Sequence, residues 1–110
     1  MEIIMELKCC CLWNCDCKSI WESDSNPFQE VKKGTVIVLP YVWGRADKGH
    51  TPAKDIKVTL KNNCKLVEAL CLVEDAALKF VKSHGASEIR EYFIENVYFS
   101  DGHVTFRWGT

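Results

Sequence analysis

The feature that most constrains this chain is its hydrophobic period, which runs at two, shifts to that of a helix for one stretch, and returns to two within 110 residues. From Asp55 to Lys61 apolar Ile56, Val58 and Leu60 alternate with Lys57, Thr59 and Lys61, as in a strand with one buried face. From Leu66 the spacing becomes Leu66, Ala69, Leu70, Val73, Ala76, Ala77 and Phe80, a broad apolar stripe on a helix. This spacing predicts a helix over about 64–84, capped by Asn62 or Asn63 and closed by Gly85 in a left-handed position. Lys82 and His84 favour its C-terminal dipole, and Asp75 with Lys79 forms an i,i+4 pair. A weaker alternative turns the chain at Asn62-Asn63 and starts the helix near Glu74. Glu74 and Asp75, the paired carboxylates of the chain, are expected on the solvated helix surface. Ser87 caps a second short helix carrying Ile89 and Phe93.

Strand signals surround the helix. Asp101-Gly102 is a preferred type I′ pair, and a two-residue loop there sets Phe99 opposite Val104, Val97 opposite Phe106 and Glu95 opposite Trp108. The other face then carries Tyr98 opposite Thr105, Asn96 opposite Arg107, and Ser100 beside His103. Thr35 to Trp43 reads as a strand buried on both faces, with Pro40 marking a bulge or an edge. Residues 23–34 read as a loop or irregular edge, and 44–52, bracketed by Gly and Pro, as an exposed mobile loop. From Ile3 to Trp21 odd positions are mostly apolar or Cys, which predicts a hairpin with a three-residue turn at Asn14, Cys15 and Asp16. That register places Trp13 opposite Cys17 and Cys9 opposite Trp21.

These elements predict one α+β domain over residues 1–110, in order ββββααββ. A mostly antiparallel sheet of about five or six strands packs on the long helix and ends in the Asp-Gly hairpin. With 47% hydrophobic and 26% charged residues the chain has the composition of a folded domain, and charges interrupt every hydrophobic run before membrane-span length. Seven cysteines, an odd number, with no basic n-region at Met1-Glu2, point to free thiols in a reducing cytoplasm.

The thiols offer one candidate chemistry. Cys9, Cys11, Cys15 and Cys17 are soft donors of the kind zinc or copper(I) selects, yet C-x-C along a strand separates Cα atoms by about 6 to 7 Å. Core packing is therefore the expectation, and the zinc alternative concentrates on Cys15 and Cys17 beside the turn. No C-x-x-C opens a helix and no phosphate-loop fingerprint occurs, so neither a redox motif nor a nucleotide-fuelled reaction is indicated.

Charge offers a second. Residues 32–65 hold eight basic groups against two acids, between acidic flanks, so Arg45, Lys48, His50, Lys54, Lys57 and Lys61 could meet phosphates or an acidic protein face. Without a catalytic or cofactor motif, the sequence favours a protein-binding module, with an immunity or antitoxin-type inhibitor as one instance. Arg45, Asp47, Lys48, His50 and Lys54, with Tyr98, His103 and Arg107 on the outward hairpin face, are the candidate partner-binding residues. The alternatives are a thiolate metal protein and an anion or nucleic-acid binder.

Overall fold

In a computed structural model the described residues are 19–87, 89 and 92–109. Their elements are β1 (Ser19–Trp21), β2 (Glu30–Val31), β3 (Val36–Val42), β4 (Arg45–Ala46), β5 (Gly49–His50), β6 (Lys54–Thr59), β7 (Cys64–Lys65), α1 (Leu66–Ser83), β8 (Tyr92–Ser100) and β9 (His103–Gly109). This is an α+β domain with one helix among the described residues, and it has more strands than the sequence led us to expect. The N-terminal hairpin expected at residues 14–16, with Cys9, Cys11, Cys15 and Cys17, lies outside the described residues.

The main sheet has order β1-β8-β9-β3-β6. It is mixed rather than mostly antiparallel: β8 with β9 and β3 with β6 are antiparallel, whereas β1 with β8 and β3 with β9 run parallel. Local turn signals identify hairpin partners only. The β3–β9 pairing joins strands separated by β6 and the whole helix, a long connection of the kind parallel pairing requires. Two small antiparallel pairs, β2 with β7 and β4 with β5, complete the described strands.

β3 carries the core because its run of β-branched and large apolar residues suits a central strand. Ile37, Leu39 and Val42 are buried in the main core, and Val38 is buried as well. Pro40 does interrupt pairing: the β3–β6 register shifts between Leu39 and Val42, and Tyr41 adopts φ +57° with two-thirds of its surface exposed. Positive φ is costly for a bulky residue, and the neighbours hold it there. The Tyr41 amide donates to Asp55 Oδ1 at 2.9 Å, and the Pro40 carbonyl accepts from Trp108 Nε1.

Helix α1 covers the expected span, but its start differs. Lys65 is the N-cap, its amide donating to Glu68 Oε1 at 2.8 Å, while Asn63 Oδ1 instead accepts the Lys33 amide at 2.7 Å. The C-terminus closes as a Schellman motif, with Ala86 N–H to Val81 O at 3.0 Å, Gly85 N–H to Lys82 O at 3.1 Å, and Gly85 at φ +88°. Asp75 and Lys79 pair at 3.4 Å. The buried face includes Leu66, Leu70, Val73, Ala77 and Val81, but also Val67, Glu74 and Leu78, whereas Ala76 and Phe80 are only partly buried. The stripe is thus rotated from the expected one, and Glu74 lies fully inside it.

The second helix expected after Ser87 does not form across Phe93, which sits in β8, and Ile89 bridges to Gly44. Tyr92-Phe93-Ile94 is an aromatic and β-branched run with strand partners on both sides, which outweighs a serine cap. Nor is 44–52 a loop throughout. It folds into the β4–β5 hairpin, anchored by buried Thr51, whose Oγ1 accepts the Gly44 amide at 3.0 Å and whose own amide donates to Gly44 O at 2.8 Å.

The β8–β9 hairpin keeps most of its expected register: Asn96↔Arg107, Val97↔Phe106, Tyr98↔Thr105, Phe99↔Val104 and Ser100↔His103. The Glu95–Trp108 pair does not occur. Trp108 lies opposite Ile94, and Glu95 is the extra residue of a bulge between Ile94 and Asn96. That residue reverses side-chain parity, so buried Tyr92 and exposed Tyr98, six residues apart, point to opposite faces.

Candidate functional site

The outward face of β8–β9 collects three of the sequence-predicted contact residues on two paired strands. Tyr98 is half exposed, and its hydroxyl accepts from Arg107 Nη1 at 3.3 Å. Arg107 Nε also lies 3.5 Å from Glu95 Oε1, so the bulged residue supplies the carboxylate that orients the guanidinium. The Tyr98 hydroxyl first, and Glu95 after it, hold the Arg107 pKa above its already high ordinary value. The cation is permanent. His103, the third residue, is exposed at the turn, its Nδ1 3.1 Å from Asp101 O. It borders a groove of about 170 Å³ against β2, lined also by Val31, Thr35 and half-exposed Phe99.

The remaining candidates occupy another part of the surface. Arg45 and His50 face each other in the β4–β5 pair, with Asp47 and Lys48 at its tip, and all four are exposed. The His50 ring packs on Trp43 with centroids 5.0 Å apart, and its Nδ1 lies 3.2 Å from the Thr51 carbonyl. Lys54 opens β6 with its ammonium 5.6 Å from the Phe80 ring centroid. Other basic residues of the segment are engaged locally: Lys32 pairs with Glu30 at 3.2 Å, and Lys65 lies 5.5 Å from the centre of Phe28. The basic group is therefore a rim around the β4–β5 hairpin and β6, and the cross-strand row Lys57, Val38, Thr105, Tyr98 sets Lys57 on the same sheet face as Tyr98, three strands away.

Beneath the sheet lies a polar arrangement that sequence reasoning placed in solvent. Glu74 is wholly buried, and the Tyr92 hydroxyl donates to its Oε2. The Tyr92 ring tilts against Trp108 at 5.1 Å, and Trp108 reaches the Pro40 carbonyl. Helix phase was the available signal: Glu74 is four residues from both Leu70 and Leu78 and seven from both Val67 and Val81, all buried. A carboxyl group so placed needs its hydrogen bonds, and Tyr92 ties the helix to β8 through one of them.

Cys64 is a free thiol, and burial first, then Glu68, raises its pKa above the ordinary 9.0. It is not poised as a nucleophile, because the raised pKa depletes thiolate. Among the described residues no three His, Cys, Asp or Glu side chains come together as a metal site, and no helix is long and apolar enough to cross a membrane. The zinc candidates Cys15 and Cys17, with Cys9 and Cys11, are outside those residues. Compared with known proteins, the chain matches no family, no curated sequence and no solved structure.

Proposed function

We propose that the chain is a protein-binding module that presents the outer face of the β8–β9 hairpin to its partner. One arrangement supports the reading: half-exposed Tyr98 and a permanently charged Arg107 are held by one another and by Glu95 on a paired strand scaffold. Tyr and Arg bring large contact area and fixed donors, and holding them in place before contact reduces the entropy lost on binding. An immunity or antitoxin-type protein, which silences a partner by occupying it, is the instance we put forward. Such a role needs a surface and no catalytic group of its own.

The test compares tagged wild-type protein with a Tyr98→Ser/Arg107→Ser double variant, both purified from the native host and matched for folding by circular dichroism. A partner retained by the wild type and lost from the variant is the expected result. Identical recoveries from both, or no partner alongside turnover in a metabolite screen, would overturn the proposal.

A further inference from the structure

We propose that the open edge of β6 receives an extended acidic segment of a partner protein as an added strand. The idea rests on the protein-binding reading but uses the backbone edge of β6 rather than the Tyr98 and Arg107 side chains of β8 and β9, so each can fail alone.

β6 ends the five-strand order, and its described pairing is with β3 alone. Just beyond it, the Leu60 amide donates to Thr35 O and the Leu60 carbonyl accepts from Gly34 N–H, both at 2.9 Å. Alternation along an antiparallel strand then turns the amides and carbonyls of Ile56 and Val58 toward β3. Those of Lys57 and Thr59 turn toward the open side. Lys57 and Thr59 are exposed, while Ile56 and Leu60 are buried, so the core fixes the orientation of this edge. Proteins usually guard such an edge with proline, a bulge or a covering element. Here the Pro40 bulge lies past Leu39, beyond the stretch facing Lys57 and Thr59, and no described strand covers them.

What guards the edge is charge. Lys54, Lys57 and Lys61 against Asp55 give three positive charges minus one negative, a net +2. Asp55 is itself engaged by the Tyr41 amide. Exposed Arg45 and Lys48 stand on the hairpin that immediately precedes β6. A second copy of the chain would oppose two edges of +2. An acidic strand instead places carboxylates across from the lysines, so the same residues that discourage self-pairing select the partner. Backbone bonds to Lys57 and Thr59 give the attachment, and the lysines give its specificity.

The probe is a short capped peptide alternating Glu with Val, read by fluorescence anisotropy and by hydrogen exchange of the Lys57 and Thr59 amides. Binding that weakens with salt and slows exchange at those two amides is expected, while a peptide with Lys in place of Glu does not bind. Thr59→Pro removes an outward amide and spares the bonds to β3, so it should fold yet bind roughly tenfold more weakly. Lys57→Glu weakens binding too, and the Tyr98→Ser/Arg107→Ser variant binds the peptide normally. The proposal is overturned by unslowed exchange in the wild type, by equal binding of the Lys peptide, or by a folded Thr59→Pro variant that binds unchanged. Protection that rises with protein concentration in the absence of peptide would also overturn it, assigning the edge to a second copy.

Discussion

Strand β8 takes part in two carboxylate–tyrosine arrangements, one under the sheet and one on top of it. Below, Tyr92 donates to Glu74, both buried; above, Tyr98 and Glu95 flank Arg107, with all three exposed. The chemistry is nearly the same, and the surroundings separate the roles. A buried carboxyl group has no water to replace a lost partner, so its bonds hold the fold together. An exposed ion pair exchanges freely with water, contributes little to folding, and stays available to another molecule. The Glu95 bulge makes the division possible, because without it residues 92 and 98 would share a face.

Substitutions can break this contrast, beginning with the largest effect. Glu74→Ala removes a buried polar group, leaves a cavity and strips the Tyr92 hydroxyl of an acceptor; chemical denaturation should show a loss of about 3 kcal/mol. Tyr92→Phe keeps the ring against Trp108 and loses the hydroxyl, so a loss of about 1 to 2 kcal/mol is expected in the same measurement. If Tyr92→Phe were neutral, the hydrogen bond would not be what joins helix to strand. Deleting Glu95 sharpens the comparison, because Ile94↔Trp108 and Asn96↔Arg107 then become consecutive pairs of a regular ladder. The shortened chain should fold within about 1 kcal/mol of the parent, with cross-strand nuclear Overhauser contacts preserved. Arg107→Ala should leave the unfolding midpoint unchanged while lowering partner recovery.

The smallest effect concerns Cys64. Its folded pKa lies above the ordinary 9.0, so the native state disfavours the thiolate. Its contribution to stability is fully present below pH 9.0 and declines as pH rises toward the folded value. Iodoacetamide at mildly alkaline pH should therefore label Cys64 more slowly in native than in urea-unfolded protein.

The two arrangements were unequally legible in the sequence. Tyr98, Arg107 and His103 were readable because Asp101-Gly102 fixes a turn and local register carries them to the outer face. Glu95 was placed one residue wrong, since a bulge changes no residue type that periodicity could register. Glu74 was missed because hydrophobic residues defined the stripe, which is rotated toward Val67 and Leu78. The helix span and the Pro40 interruption depend on local backbone preferences and were readable. The parallel pairings of β1 with β8 and β3 with β9 depend on contacts distant in sequence, which local patterns do not encode.

The strand order also bears on synthesis. β9, the last strand described, is central, held between β8 and β3. While a ribosome is still making β8, the β3–β6 hairpin and the helix can gather, but β3 has an unfilled side where β9 belongs. The nascent chain therefore shows the cell an open sheet until β9 emerges, and a chaperone able to occupy the flank of β3 has its opportunity in that interval.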